Sequence, residues 1–155
     1  MNKIIVGVVL ILILIILFYL YQRPKNINVA QLTDQWCDLV VNKKDPDQLM
    51  GMFCEDGNLI ATVSQIKRKS YDIRKYFEFF VHLPKIRIVD RVYNIDKVTN
   101  NVHLNTAFIT WFWEGLEKPI MTRMTFLFRD QCIFQLHSSA LPEFNQSLFE
   151  TSGKH

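Results

Sequence analysis

From Ile4 to Tyr21 the chain runs 18 residues without a charge. Every residue from Ile4 to Leu17 is Val, Ile or Leu except Gly7. As a helix rising ~1.5 Å per residue the run spans about 27 Å, close to the ~30 Å hydrocarbon core of a bilayer. A helix apolar on all sides has no face to present to water. The pattern predicts a single-pass anchor over residues 1–23, in contact with the lipid bilayer through residues 4–21. A cleavable secretory signal is the competing reading. The run leads into Phe18-Tyr19-Leu20-Tyr21 and then Gln22-Arg23, with no small-residue cleavage pattern, which favours the retained anchor. Tyr19 and Tyr21 suit the interface, and Arg23 and Lys25 suit the headgroups.

After a polar linker over residues 24–28 the period becomes helical. Val29, Leu32, Trp36, Leu39 and Val40 share one face, with Asn28 placed to cap. Asp45-Pro46-Asp47 starts a second, short helix whose Leu49, Met52 and Phe53 face inward. Glu55-Asp56-Gly57-Asn58 reads as a turn, and Leu59 to Val63 as a short strand. Lys67-Arg68-Lys69 reads as a solvated loop or as a contact for phosphate or acidic lipid. Ser70 is placed to cap a third helix, in which Ile73, Tyr76, Phe77, Phe80 and Val81 form a stripe.

Beyond Pro84 the period falls to two. A strand with Ile86, Ile88 and Val92 turns at Asp96 to Asn101. Three more follow, over Val102 to Trp113, Pro119 to Phe128 and Cys132 to Ser139, and Pro142 stops the last. Helices grouped ahead of a meander indicate an α+β domain over residues 29–145, with a polar tail over 146–155. The expected fold is a cone-shaped, curved antiparallel β-sheet packed on three N-terminal helices, with a pocket on its concave side.

Charge and special residues narrow the function. A net charge of +3 gives no footprint for nucleic acid. Lys3 before the apolar run and Arg23 and Lys25 after it leave the orientation of the anchor open. Cys37, Cys54 and Cys132 are odd in number and widely spaced, unlike a disulfide framework. That favours a reducing compartment and a cytosolic domain. Asn145-Gln146-Ser147 is a glycosylation acceptor pattern of a kind that often arises by chance. The cysteines and His82, His103, His137 and His155 lack metal-ligand spacing, so no metal is expected. No phosphate loop or dinucleotide fingerprint occurs, so no cofactor is expected.

Four stretches carry a family resemblance: Trp36 with Asp45-Pro46-Asp47; Phe53-Cys54-Glu55-Asp56-Gly57; Ile73-Arg74-Lys75-Tyr76-Phe77; and Arg123-Met124-Thr125-Phe126 followed by His137-Ser138-Ser139-Ala140-Leu141-Pro142. Their order and spacing, from Val29 to Phe144, resemble the nuclear transport factor 2-like superfamily. The nearest look is to the branch of polyketide-cyclase-like (SnoaL-like) proteins and the association domain of calcium/calmodulin-dependent kinase II. The resemblance implies a curved sheet cupping the helices, an open mouth, and a homodimer or larger ring made through the sheet. It implies no single activity.

In the association domain that this chain resembles, an arginine and a histidine matching Arg123 and His137 lie in or near the concave pocket. Carried over, Arg123 supplies a fork for an anion and His137 a proton donor or acceptor near neutral pH. Each also has a structural reading, as a partner of a buried acid or as a satisfied core residue. Thr106, Phe108, Thr110 and Gln135 are expected on the same side, with Trp36 or Tyr76 facing them from the helices. A further arginine of that domain corresponds to Phe108 here, which weakens the case for a shared ligand. Ser138 and His137 are adjacent on a strand and point to opposite faces, so they form no nucleophile pair.

Three functions compete. One is a membrane-anchored binding or assembly module whose pocket takes a small apolar or anionic ligand, with Trp111 and Trp113 exposed for dimerisation. The alternative is a small-molecule isomerase, dehydratase or cyclase using His137 as acid/base. The third is a structural membrane component whose pocket is vestigial.

Overall fold

The computed structural model describes residues 27–62, 67–69, 71–99 and 101–141, together with residues 9, 11–16 and 18 of the apolar leader. Val9, Ile11 to Ile16 and Phe18 are helical, with side chains 46–64% exposed. Most of the expected anchor lies outside the described residues, as do Val63, the Ser70 cap, Asn145 and the tail over 146–155. Among the described residues no helix is long and apolar enough to cross a membrane.

Helix α1 spans Val29–Asp38, and the Asn28 side chain accepts from Gln31 N at 3.0 Å, as the sequence predicts. A π-helical turn, Leu39–Lys43, prolongs it. Lys44, at φ 52°, ends that turn in the left-handed region. Asp45 then caps α2, Pro46–Gly51, by accepting from Gln48 N at 2.9 Å. Helix α3 is Tyr71–Phe80, and its Ile73 and Phe77, with Val81 just beyond, are fully buried.

The strands are β1 Phe53–Ile60, β2 Lys67–Lys69, β3 Arg87–Lys97, β4 Val102–Phe112, β5 Ile120–Arg129 and β6 Cys132–Ala140. They form one six-stranded sheet in the order β2-β1-β6-β5-β4-β3. The expectation of a purely antiparallel sheet is corrected: β1 runs parallel to β6, with Leu59 opposite Leu136 and Ile60 opposite His137. The chain returns to β1 after the whole β3–β6 meander, so the two strands meet through a long crossover and not a hairpin.

Two local readings change with it. Glu55-Asp56-Gly57-Asn58 is a bulge inside β1 and not a turn, because β1 advances from Phe53 to Asn58 while β6 advances from Ile133 to Gln135. A Cβ on Gly57 would lie 2.7 Å from the Ile133 carbonyl oxygen and 2.8 Å from that of Cys54, so the backbones approach too closely for any side chain. Turn and bulge share a composition, which is why the segment reads as the former. Lys67–Lys69 is an edge strand paired with Asn58 to Ile60 and not a loop.

The cysteine reading is also corrected. Cys54 and Cys132 form a disulfide across β1 and β6, and Cys37 alone is free and buried. The argument for a reducing compartment loses its premise.

The helices cover one face of the sheet. Trp36 sits edge-on to Phe126 at 5.3 Å, and to Phe77 and Trp111 at 6.1 Å each. Asn105, buried on β4, donates to Thr33 Oγ1 at 2.8 Å, and Thr33 donates to the Val29 carbonyl at 2.9 Å. This chain pins α1 to the sheet, while Asn105 Oδ1 is buried without a hydrogen-bond partner among the described residues. Nearer the edge, Tyr93 of β3 donates to Asp34 at 2.7 Å, and Arg91 pairs with the same carboxylate oxygen at 3.0 Å.

Candidate functional site

A cavity of about 360 Å³ lies between the helices and the inner sheet face. Its aromatic wall comes from Trp36 of α1, Tyr76, Phe77 and Phe80 of α3, and Trp111 and Trp113 at the end of β4. Leu59, Met124 and Leu136 form its aliphatic floor, and Phe79, 69% exposed, stands beside it. The size falls within the range of small-molecule sites. Among the described residues no lining side chain is charged.

The few polar groups are individually placed. Trp111 Nε1 donates to Thr122 Oγ1 at 3.0 Å, and that hydroxyl donates onward to the Ile109 carbonyl at 3.1 Å. Thr62 Oγ1 and Ser138 Oγ lie 2.6 Å apart, one donating to the other. Burial pushes the Tyr76 phenol up to about 12, against the pull of the Arg68 guanidinium 5.4 Å over its ring. Tyr76 is therefore neutral at physiological pH. Trp36 Nε1 is buried without a hydrogen-bond partner among the described residues, and the rings packed around it offer only the weaker N–H···π contact.

The residues expected to line the pocket divide. Trp36 and Tyr76 do line it. Arg123, His137, Thr106, Phe108, Thr110 and Gln135 do share one face, as strand parity requires, but it is the outer face of the sheet. Register pairs Arg123 with Phe108 and Thr125 with both Thr106 and His137, while the alternating Met124, Phe126, Ala107 and Leu136 are buried under the helices. Arg123 is exposed, and His137 is half-buried opposite Ile60. Trp111, expected to be exposed, is 2% exposed in the core.

Thr62, Thr122 and Ser138 were not anticipated as lining residues. Their signal was available, because Ser138 alternates with Leu136 and Thr122 with Met124 on the side rich in large apolar residues.

A second recess lies between α1 and β3, lined by Asp34, Asp38, Asn42, Arg87 and Arg91 around Cys37. Burial raises the Cys37 thiol to about 11, so it stays protonated. No group of three or more His, Cys, Asp or Glu among the described residues is placed to hold a metal ion.

Comparison with solved structures places the fold. A protein from Xanthomonas campestris assigned as a calcium/calmodulin dependent protein kinase II association domain is 27% identical, at a TM-score of 0.63, over 75% of this chain and 87% of that one. A nuclear transport factor 2-like protein of unknown function from Pseudomonas putida is 14% identical, at a TM-score of 0.62, over 77% of this chain and 87% of that one. A protein from Parabacteroides distasonis assigned as a ketosteroid isomerase is 18% identical, at a TM-score of 0.55, over 74% of this chain and 86% of that one. The latter two likenesses concern the fold alone. No family model matches the sequence, and no curated protein matches it. The fold is that of the nuclear transport factor 2-like superfamily.

Proposed function

We propose that the domain is a membrane-tethered binding module that holds a small, uncharged, apolar ligand in the cavity between helices and sheet. The observation that carries this is the lining, which among the described residues has large aromatic and aliphatic surface and no charge. Burying a charged ligand against such walls would cost far more than the contacts return. The same lining offers no carboxylate or histidine among the described residues. An isomerase-, dehydratase- or cyclase-like reaction with His137 as acid/base therefore lacks support from this cavity, since His137 lies on the other sheet face.

The uncharged run Ile4 to Tyr21 supports the tether. The Cys54–Cys132 bridge supports a domain facing an oxidising compartment in place of the cytosol. The outer sheet face, with Val92 58% and Met121 46% exposed beside Phe108 and Leu127, supports an isologous homodimer. Sedimentation of the full chain in lipid nanodiscs tests the dimer: Val92→Asp is expected to give monomers, and a monomeric parent chain would refute it.

The pocket reading is tested with the full chain in nanodiscs, empty nanodiscs serving as the partition control. Quenching of tryptophan emission by a naphthalene probe is expected. Ala140→Trp, which fills the cavity from its wall, is expected to abolish it. Equal quenching of parent and variant would overturn the assignment.

A further inference from the structure

We infer that the Thr62–Ser138 hydroxyl pair is a ligand-binding subsite that donates one hydrogen bond to an acceptor oxygen on an otherwise apolar ligand. The inference rests on the cavity being a ligand site. Two hydroxyls carry two protons, and at 2.6 Å one proton is committed between Thr62 Oγ1 and Ser138 Oγ. The hydroxyl that accepts keeps its own proton, and among the described residues neither side chain has another partner. Ser138 is 4% exposed and Thr62 is half-buried, both in the cavity wall. Of the other wall hydroxyls, Thr122 accepts from Trp111 and already donates to a backbone carbonyl, and Tyr76 belongs to the aromatic wall. The pair is thus an uncommitted donor set in an uncharged wall. A neutral ketone, aldehyde, ester or ether oxygen matches it. A carboxylate would bring a charge with no cation in the wall to meet it.

The pair also has a signature that a single hydroxyl lacks. If Ser138 becomes alanine, the Thr62 hydroxyl is released from the pair and still donates. If Thr62 becomes valine, Ser138 does the same. The donor is lost only when both change.

The probes are 2-acetonaphthone and its near-isostere 2-isopropylnaphthalene, titrated into the full chain in nanodiscs. Ser138→Ala and Thr62→Val are each expected to weaken ketone binding less than threefold, and the double variant about tenfold. Hydrocarbon binding is expected to hold within twofold throughout, which also reports that each variant is folded. If the ketone and the hydrocarbon change in parallel across the set, the subsite is overturned while the apolar pocket stands. If the parent chain binds neither probe, the pocket reading falls and the subsite with it.

Discussion

Cys54 and Cys132 are bonded across the parallel junction of β1 and β6, the two strands that bring Leu59 and Leu136 side by side under the cavity. The bridge closes a loop of sequence separation 78, enclosing β2, α3 and the meander as far as β6. Cross-linking residues that far apart removes about 4 kcal/mol of unfolded-chain entropy in the loop-closure account. Cys54→Ser with Cys132→Ser is accordingly expected to lower the unfolding free energy by most of that amount, and the urea midpoint with it. Urea unfolding of the oxidised and reduced parent chain gives the same comparison without a substitution. Coincident midpoints would remove the bridge from the account of stability.

Gly57 gives a sharper test of the bulge. Alanine there places a Cβ within 3 Å of two backbone carbonyl oxygens, neither of which can swing aside. Gly57→Ala is expected to destabilise by roughly 1–3 kcal/mol, as overpacking does, and more if the strands separate. Thermal unfolding reads it, and an unchanged melting temperature would contradict the β1–β6 register.

Cys37 predicts a pH dependence of defined sign. Its folded pKa is raised, from an ordinary 9 to about 11, chiefly by burial. The folded state thus keeps a proton that the unfolded chain releases first. The stabilisation is complete below about pH 9 and is lost as pH rises towards 11. The decline should flatten in Cys37→Ala, measured by urea unfolding at pH 8, 9 and 10. The same burial predicts that the Cys37 thiol resists alkylation at neutral pH until the domain unfolds.

Arg123 and His137 distinguish the inner cavity from a site on the outer face. Arg123→Ala and His137→Ala are expected to leave naphthalene binding within twofold of the parent, because neither side chain lines the cavity. A tenfold loss in either would move ligand binding to the other side of the sheet.

Much of this architecture was legible in local signals. Asn28 and Asp45 announced their caps, the stripe from Ile73 to Val81 announced a buried helix face, and alternation announced β3 to β6. Partners far apart in sequence were less visible. Nothing near Cys54 says that its neighbour is Cys132, and nothing in Leu59 to Val63 says that the strand begins at Phe53 and lies parallel to the last one. For the site, parity sorted residues onto faces correctly, but alternation by itself does not say which face meets the helices. The resemblance assigned Arg123 and His137 to the concave side. The continuous large apolar set of Ile109, Trp111, Met124, Phe126 and Leu136 marked the covered side instead, and the cavity opens at the end of that set.

The sheet's two outermost strands set a limit on self-association. At one border stands Lys67-Arg68-Lys69, a short strand of like charges. At the other stands β3, whose exposed Arg87, Asp90, Arg91, Asp96 and Lys97 accompany a register shift between Ile88 and Asp90. Charges and irregularity on a border strand discourage a neighbouring molecule from adding its backbone there. Copies of this domain are thereby discouraged from joining strand to strand into ribbon-like polymers.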